Sequence, residues 1–138
     1  MTTITNKELI QKAKSVVNPQ KNAQGKIIAD VGAALITDKG NIYLGVCFDT
    51  QEGTGICAER NAIASMITAG ESNIKKIVAV WTNGTIIPPC GICREWIWQV
   101  DKRNWNTEVI LKEVQVVSLK ELLPYHWHNP NTSKKIKQ

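Results

Sequence analysis

The order of patterns along the chain predicts an α/β protein, with a five-stranded mixed sheet between helices on both faces in three α/β/α layers. Three observations lead there. Helical periodicity and strand-like apolar runs alternate in the order helix, hairpin, helix, strand, helix, strand, strand. The last two strand-like runs are joined by so short a link that they must pair antiparallel, because parallel neighbours need a long crossover. Finally, 138 residues suffice for one substantial core and leave no room for a second domain.

Each element has its own signal. Thr5-x-x-Glu8 is a capping box, which predicts a first helix over residues 6–17 with Leu9, Ile10, Ala13, Val16 and Val17 as its apolar stripe. Asn18-Pro19 ends it. After a polar linker through Lys26, apolar runs at 31–36 and 42–48 flank Asp38-Lys39-Gly40-Asn41 and read as a hairpin. The glycine-bearing loop from Thr50 to Gly55 then feeds a helix over 57–68, stopped near Gly70. Residues 76–81 form a short apolar run suited to a buried strand. Pro88-Pro89 allows a new helix over 91–100. Residues 108–111 and 114–117 alternate like strands, and Ser118-x-x-Glu121 predicts a capping box for a short last helix stopped by Pro124.

Composition narrows the function classes. With 43% apolar and 21% charged residues the chain is ordinary globular protein. No apolar run reaches the roughly 18 residues a membrane span needs, and the polar start Met1-Thr2-Thr3-Ile4-Thr5-Asn6 is unlike a signal peptide. The expectation is a cytoplasmic protein without a membrane partner. In that compartment four cysteines point to metal binding or catalysis rather than to disulfides. The net charge of +5 would suit nucleic acid, but Lys134, Lys135 and Lys137 lie behind a polar run that begins at Asn129. We therefore expect one domain over 1–128, a basic, disordered tail over 129–138 and no nucleic-acid partner.

The chemistry concentrates in two segments. Cys57-Ala58-Glu59 is answered by Pro89-Cys90-Gly91-Ile92-Cys93, Cys90 falling 33 positions after Cys57. Both segments fall at predicted helix starts, and a spacing of three lets Cys90 and Cys93 converge on one ion. Three thiolates with no obligatory fourth ligand suit a catalytic zinc site, where the open position takes water. A redox pair would leave Cys57 and Glu59 unexplained. A structural zinc site would want a fourth ligand, for which Cys47 is the candidate, although a small buried residue is the commoner fate of a strand cysteine. Glu59 read alone could be an acid favoured at a helix start. Three thiolates around a dication leave a net negative charge, which two helix N-termini would offset and to which Arg60 and Arg94 could add hydrogen bonds; a surface arginine is the alternative for each.

Together these residues resemble the zinc-dependent cytidine deaminase family, whose signature is His-or-Cys-x-Glu followed by Pro-Cys-x-x-Cys. The likeness is nearest to nucleoside cytidine deaminases and blasticidin S deaminases, and it extends to Val31-Gly32-Ala33-Ala34 and Leu122-Leu123-Pro124. It implies Zn2+ held by Cys57, Cys90 and Cys93, with Glu59 as proton shuttle while water replaces the amine at C4 of a cytosine-like ring. It further implies charge compensation by Arg60, base contacts from the Ala58 N–H and the Pro88 carbonyl, and a homotetramer in which the segment of Trp127 reaches a neighbouring site. The departures concern the sugar. Gly45-Val46-Cys47-Phe48-Asp49 stands where the family has Asn-x-Glu, so Cys47 replaces the asparagine and Asp49 the glutamate. Ala29-Asp30 occupies the place of a stacking aromatic. Cys47, Phe48, Asp49 and Trp127 are the expected substrate contacts, and the expected substrate is a small cytidine-like nucleoside, possessing either the ordinary sugar or an altered one. A silent zinc-binding module and a nucleic-acid editor are the rival readings.

Overall fold

The computed structural model describes residues 4–128; the tail expected over 129–138 lies outside them. Helix α1 (Asn6–Ser15) opens as its sequence dictates, since Thr5 Oγ1 accepts the Glu8 N–H and the Glu8 carboxylate accepts the Thr5 N–H, each at 3.1 Å. It stops two residues before its apolar stripe does. Val16 is the C-cap, and the Asn18 N–H already bonds the Ala29 carbonyl at 2.8 Å.

Strand β2 (Ile27–Thr37) is the hub of the sheet, pairing antiparallel with β1 (Gln20–Lys21), β3 (Ile42–Phe48) and β4 (Ile74–Trp81). Strand β4 pairs antiparallel with β5 (Ile86–Ile87) and parallel with β6 (Glu108–Lys112), which pairs antiparallel with β7 (Gln115–Ser118). The sheet thus has seven strands rather than five. The two additions, β1 and β5, are two residues each, too short for alternation to register in the sequence. Pairing with β1 also draws the start of β2 back to Ile27.

Alternation along β2 builds the three layers. Ala34 and Ile36 face α1, in a cluster with Leu9, Ile10, Ala13, Val78, Val80 and Ile110. Ala33 and Leu35 face the other way, toward Ala58, Ala62, Ile63 and Met66 of α2 (Ala58–Thr68), Ile97 of α3 (Gly91–Val100) and Leu119 of α4 (Leu119–Leu122). Helices α2 and α3 therefore share one face of the sheet. Helix α2 lies against β3 at Gly45, where an added Cβ would come within 2.6 Å of the Ala58 carbonyl oxygen. A bond from Asn61 Nδ2 to the Val46 carbonyl at 3.1 Å fixes the same contact. Fully buried Asn104 secures the far end of α3, accepting the Ile74 N–H at 2.7 Å and donating to the Ser72 and Ile97 carbonyls at 2.9 Å each.

One predicted cap does not form. Ser118 is the N-cap of α4, but its buried hydroxyl has no partner among the described residues, so Ser118-x-x-Glu121 makes no capping box. No helix among the described residues is long and apolar enough to cross a membrane.

Candidate metal centre and its cleft

Cys57 is the N-cap of α2, Cys90 is the N-cap of α3, and Cys93 lies in the first turn of α3. Their sulfurs converge: Cys57 Sγ is 3.5 Å from Cys90 Sγ, which is 3.4 Å from Cys93 Sγ. All three atoms lie within 4.8 Å of one another. Zn–S bonds of about 2.3 Å at tetrahedral angles require sulfurs about 3.8 Å apart. The donor set fits zinc in chemistry and in spacing. Two helix starts supply positive potential where the sulfurs gather, and the Cys93 N–H points to Cys90 Sγ at 3.5 Å. Burial alone would raise the Cys90 thiol, but hydrogen bonds from the Cys93 N–H and neighbouring thiols outweigh it and bring it below the ordinary value. Burial pushes Cys93 up strongly, with the Glu59 charge adding to it, and Cys57 is raised by burial against the opposing bond from Arg60.

Glu59 is 5% exposed on the first turn of α2. Burial raises its carboxyl above the usual range, opposed by its own backbone N–H, the Arg60 charge and a hydrogen bond from the Cys93 thiol. An acid reluctant to ionise thus sits against the sulfurs. Arg60 completes the cluster from the next position, with Nη2 3.6 Å from Cys57 Sγ and its guanidinium 5.6 Å from the centre of the Trp96 ring. The ring face attracts the cation and holds it over the sulfur.

Beside Cys57 opens a cleft of about 590 Å³, lined by Lys26, Asp30, Val31, Cys47, Asp49, Thr50, Gly53, Gly55, Ile56, Cys57 and Arg60. Its back wall is a bulge. Pairing of β2 with β3 passes from Ile28↔Phe48 to Gly32↔Val46, so three residues of β2 oppose Cys47 alone. Ala29 takes the left-handed conformation, φ 59°, to make this possible, a posture unfavourable for any side chain with a Cβ. The bulge turns Asp30 toward Cys47, whose thiol donates to Oδ1 at 2.8 Å, while the Trp81 indole N–H donates to Oδ2 at 3.3 Å. Burial, then the bond to Asp30, pushes the Cys47 thiol up to about 11.

Residues 4–108 match the model of the cytidine and deoxycytidylate deaminase zinc-binding region, a span that includes Cys57, Glu59, Cys90 and Cys93. The chain belongs to this deaminase family. A probable cytidine deaminase of Dictyostelium discoideum is 40% identical over 68 residues, 48% of this chain and 46% of that protein. A blasticidin-S deaminase of Bacillus cereus is 36% identical over 76 residues, 49% of this chain and 54% of that protein. The chain thus spans about half the length of the curated relatives it matches. The crystal structure of cytidine deaminase from Mycobacterium tuberculosis superposes with a TM-score of 0.78 at 20% identity, covering 92% of this chain and 100% of that one. At that identity the likeness is one of fold.

Within this deaminase fold the residues singled out from sequence separate into groups. Cys57, Cys90, Cys93, Glu59 and Arg60 meet at one point, and Cys47 and Asp49 line the adjoining cleft. Arg94 does not turn to the sulfurs. Its Nε donates to the Pro89 carbonyl at 2.9 Å and Nη1 to the Leu122 carbonyl at 3.1 Å, so it holds the Cys90 loop to the end of α4 through backbone groups alone. Cys47 offers its proton to Asp30 rather than to the cleft. Phe48, the next residue on β3, takes the opposite side of the strand, and its backbone pairs with Ile56. Ala58 is buried as the first residue of α2, leaving its N–H without an intrahelical acceptor. Pro88 and Trp127 are exposed and do not line the cleft; the Trp127 N–H bonds Glu95 at 3.0 Å, and His126 stacks 4.0 Å from Trp98. The sequence showed Asp30 only as a departure from a stacking aromatic and did not place Trp96 beside Arg60, because a β-bulge and a ring packed on a guanidinium leave no fixed spacing.

Proposed function

We propose that this chain is a hydrolytic deaminase of small cytidine-type nucleosides, with Cys57, Cys90 and Cys93 as ligands of a catalytic zinc ion and Glu59 as its proton shuttle. One observation carries the reading: three sulfurs at zinc spacing with a buried carboxyl against them. When bound, zinc supplies the Lewis acidity that makes water a nucleophile at neutral pH. Glu59 takes a proton from the attacking water and passes it to the ring nitrogen, then takes the second proton from the new C4 hydroxyl and passes it to the departing amine. The C4–N bond breaks as a C4–O bond forms, and ammonia and a uracil-type ring result. Arg60 sets positive charge against the Cys57 sulfur, and the free Ala58 N–H and the Pro88 carbonyl are the backbone contacts for the ring. The cleft walled by Cys47 and Asp49 takes the sugar.

Ammonia release from zinc-loaded protein is the test, with cytidine, deoxycytidine, blasticidin S, cytosine and adenosine as candidates. Turnover of cytosine-bearing nucleosides and none of adenosine is expected. No ammonia from any of them overturns the proposal. Cys47 and Asp49 in place of the family's sugar-binding pair favour a nucleoside with an altered sugar, and turnover confined to cytidine and deoxycytidine would remove that refinement. The same reading makes the chain a cytoplasmic homotetramer, supported by Tyr125 and Trp127 standing 96% and 62% exposed. A monomer in sedimentation velocity would count against the assembly.

A further inference from the structure

Asp30 has no part in the chemistry at the sulfurs, yet the wall of the cleft fixes it through both of its carboxylate oxygens. The β2 bulge, built at the cost of a left-handed Ala29, presents it inside the cleft that Cys57 and Arg60 also line. Two donors from two different strands, the Cys47 thiol on β3 and the Trp81 indole on β4, take one oxygen each. A carboxylate has about four acceptor sites, so both oxygens keep capacity for a further donor. Neither protein donor brings a full positive charge. A half-buried carboxylate fixed by neutral groups, with acceptors to spare, is arranged to receive a donor from whatever fills the cleft, and a cleft of about 590 Å³ is of small-molecule size.

On the deaminase reading above, the reacting ring belongs beside Cys57 and Glu59, and the remainder of the nucleoside extends along the wall formed by Asp30, Cys47 and Asp49. We propose that Asp30 is a specificity-determining residue that accepts a hydrogen bond from a donor group on the sugar of the bound nucleoside. Cys47 then acts by positioning Asp30, which accounts for a thiol at a place otherwise suited to direct sugar contact. A substrate lacking the matching donor leaves Asp30 unsatisfied, and the penalty falls on recognition rather than on proton transfer.

The experiment compares kcat/KM for cytidine and its 2′-deoxy, 3′-deoxy, 5′-deoxy and 2′,3′-dideoxy analogues, in the zinc-loaded parent protein and in Asp30→Asn. In the parent, removal of one particular hydroxyl is expected to lower kcat/KM by about tenfold or more, mainly through KM. Asp30→Asn is expected to turn over cytidine less efficiently and to erase the difference between cytidine and that analogue. One equivalent of zinc and faster alkylation of Cys47 identify a folded variant with an altered Asp30 contact; should the variant not fold, Asp30→Ser is measured in its place. Indifference of the parent to every hydroxyl overturns the inference, as does an equal loss in Asp30→Asn for all five substrates. If blasticidin S is deaminated while no member of the cytidine series is, Asp30 reads no sugar hydroxyl and the inference falls, but the deaminase reading stands. Absence of ammonia from every nucleoside removes both.

Discussion

At the level of single residues two side chains make predictions, Glu59 beside the sulfurs and Cys47 in the wall of the cleft. Glu59 is buried against the Cys93 thiol, so its carboxyl has no evident structural duty that an amide of equal size could not perform. Glu59→Gln should bind one zinc per chain and lose about 10²–10⁴-fold in ammonia release, the usual worth of a positioned acid–base group; retention of substantial turnover would remove Glu59 from the proton pathway. Burial likewise keeps Cys47 protonated, here as a thiol bonded to Asp30. Its pKa of about 11 lies above the free value, so the stabilisation from its bond to Asp30 is complete below the free thiol's pKa and is lost as pH climbs through about 11. In zinc-loaded protein, where the other three thiols would be ligated, Cys47 at pH 8 should alkylate roughly tenfold more slowly than an ordinary cysteine, because the thiolate fraction falls tenfold per unit of pKa while the more basic thiolate attacks faster and regains about half of that loss. The rate should climb until pH reaches about 11. Labelling at the ordinary rate at pH 8 would mean that Cys47 is neither buried nor bonded to Asp30.

Among the elements, α2 matters most, because its first turn places Cys57, Ala58, Glu59 and Arg60 together. Its height above the sheet is set at Gly45, where a Cβ would run into the Ala62 amide and come within 2.6 Å of the Ala58 carbonyl oxygen. These are backbone atoms and cannot swing aside. Gly45→Ala should therefore lift the start of α2, destabilise the fold by about 1–3 kcal/mol and weaken zinc binding in a competition titration. A variant with unchanged melting temperature and zinc affinity would show that the helix start does not depend on this contact. The placement of α2 and α3 was legible in sequence because each rests on local signals: a glycine loop before Cys57, a proline pair before Cys90, and helical periodicity after both. The strands at 42–48 and the Thr5–Glu8 cap were legible for the same reason. What sequence did not disclose depends on partners distant in the chain. Strands β1 and β5 exist only because β2 and β4 offer them an edge. The Ala29 bulge is visible only opposite Cys47. Arg94 and Arg60 look alike as arginines beside a motif residue, yet packing sends one to the Leu122 carbonyl and the other to Cys57. The capping box at Ser118 fails although its spacing is correct: the Ser118 hydroxyl is buried and bonds none of the helix amides.

On the scale of the whole molecule, the site joins two helix starts on one face of the sheet, whose helices also meet through Arg60 and Trp96 and share one apolar cluster. Cys57 comes from α2 and the paired Cys90 and Cys93 from α3, with β4 and β5 between them in the chain. The apolar clusters on the two faces draw on α1, α2, α3, α4 and the central strands, and of the three cysteines neither cluster includes any. The sheet and its helices are therefore expected to fold without metal, whereas the relative seating of the two helix starts depends on it. Zinc binds the folded state, in which the sulfurs are gathered, far better than a chain in which Cys57 and Cys90 are 33 residues apart. Free zinc at a hundredfold excess over its dissociation constant would then stabilise the fold by about 2.7 kcal/mol. Chelation should lower the melting temperature by several degrees while the far-ultraviolet circular dichroism at 25 °C stays native, and the amides that lose hydrogen-exchange protection should be those of the first turns of α2 and α3 rather than of β2 and β4. Collapse of the whole spectrum on chelation would mean that the core cannot stand without the ion. A melting temperature indifferent to zinc would mean that the three sulfurs do not grip it.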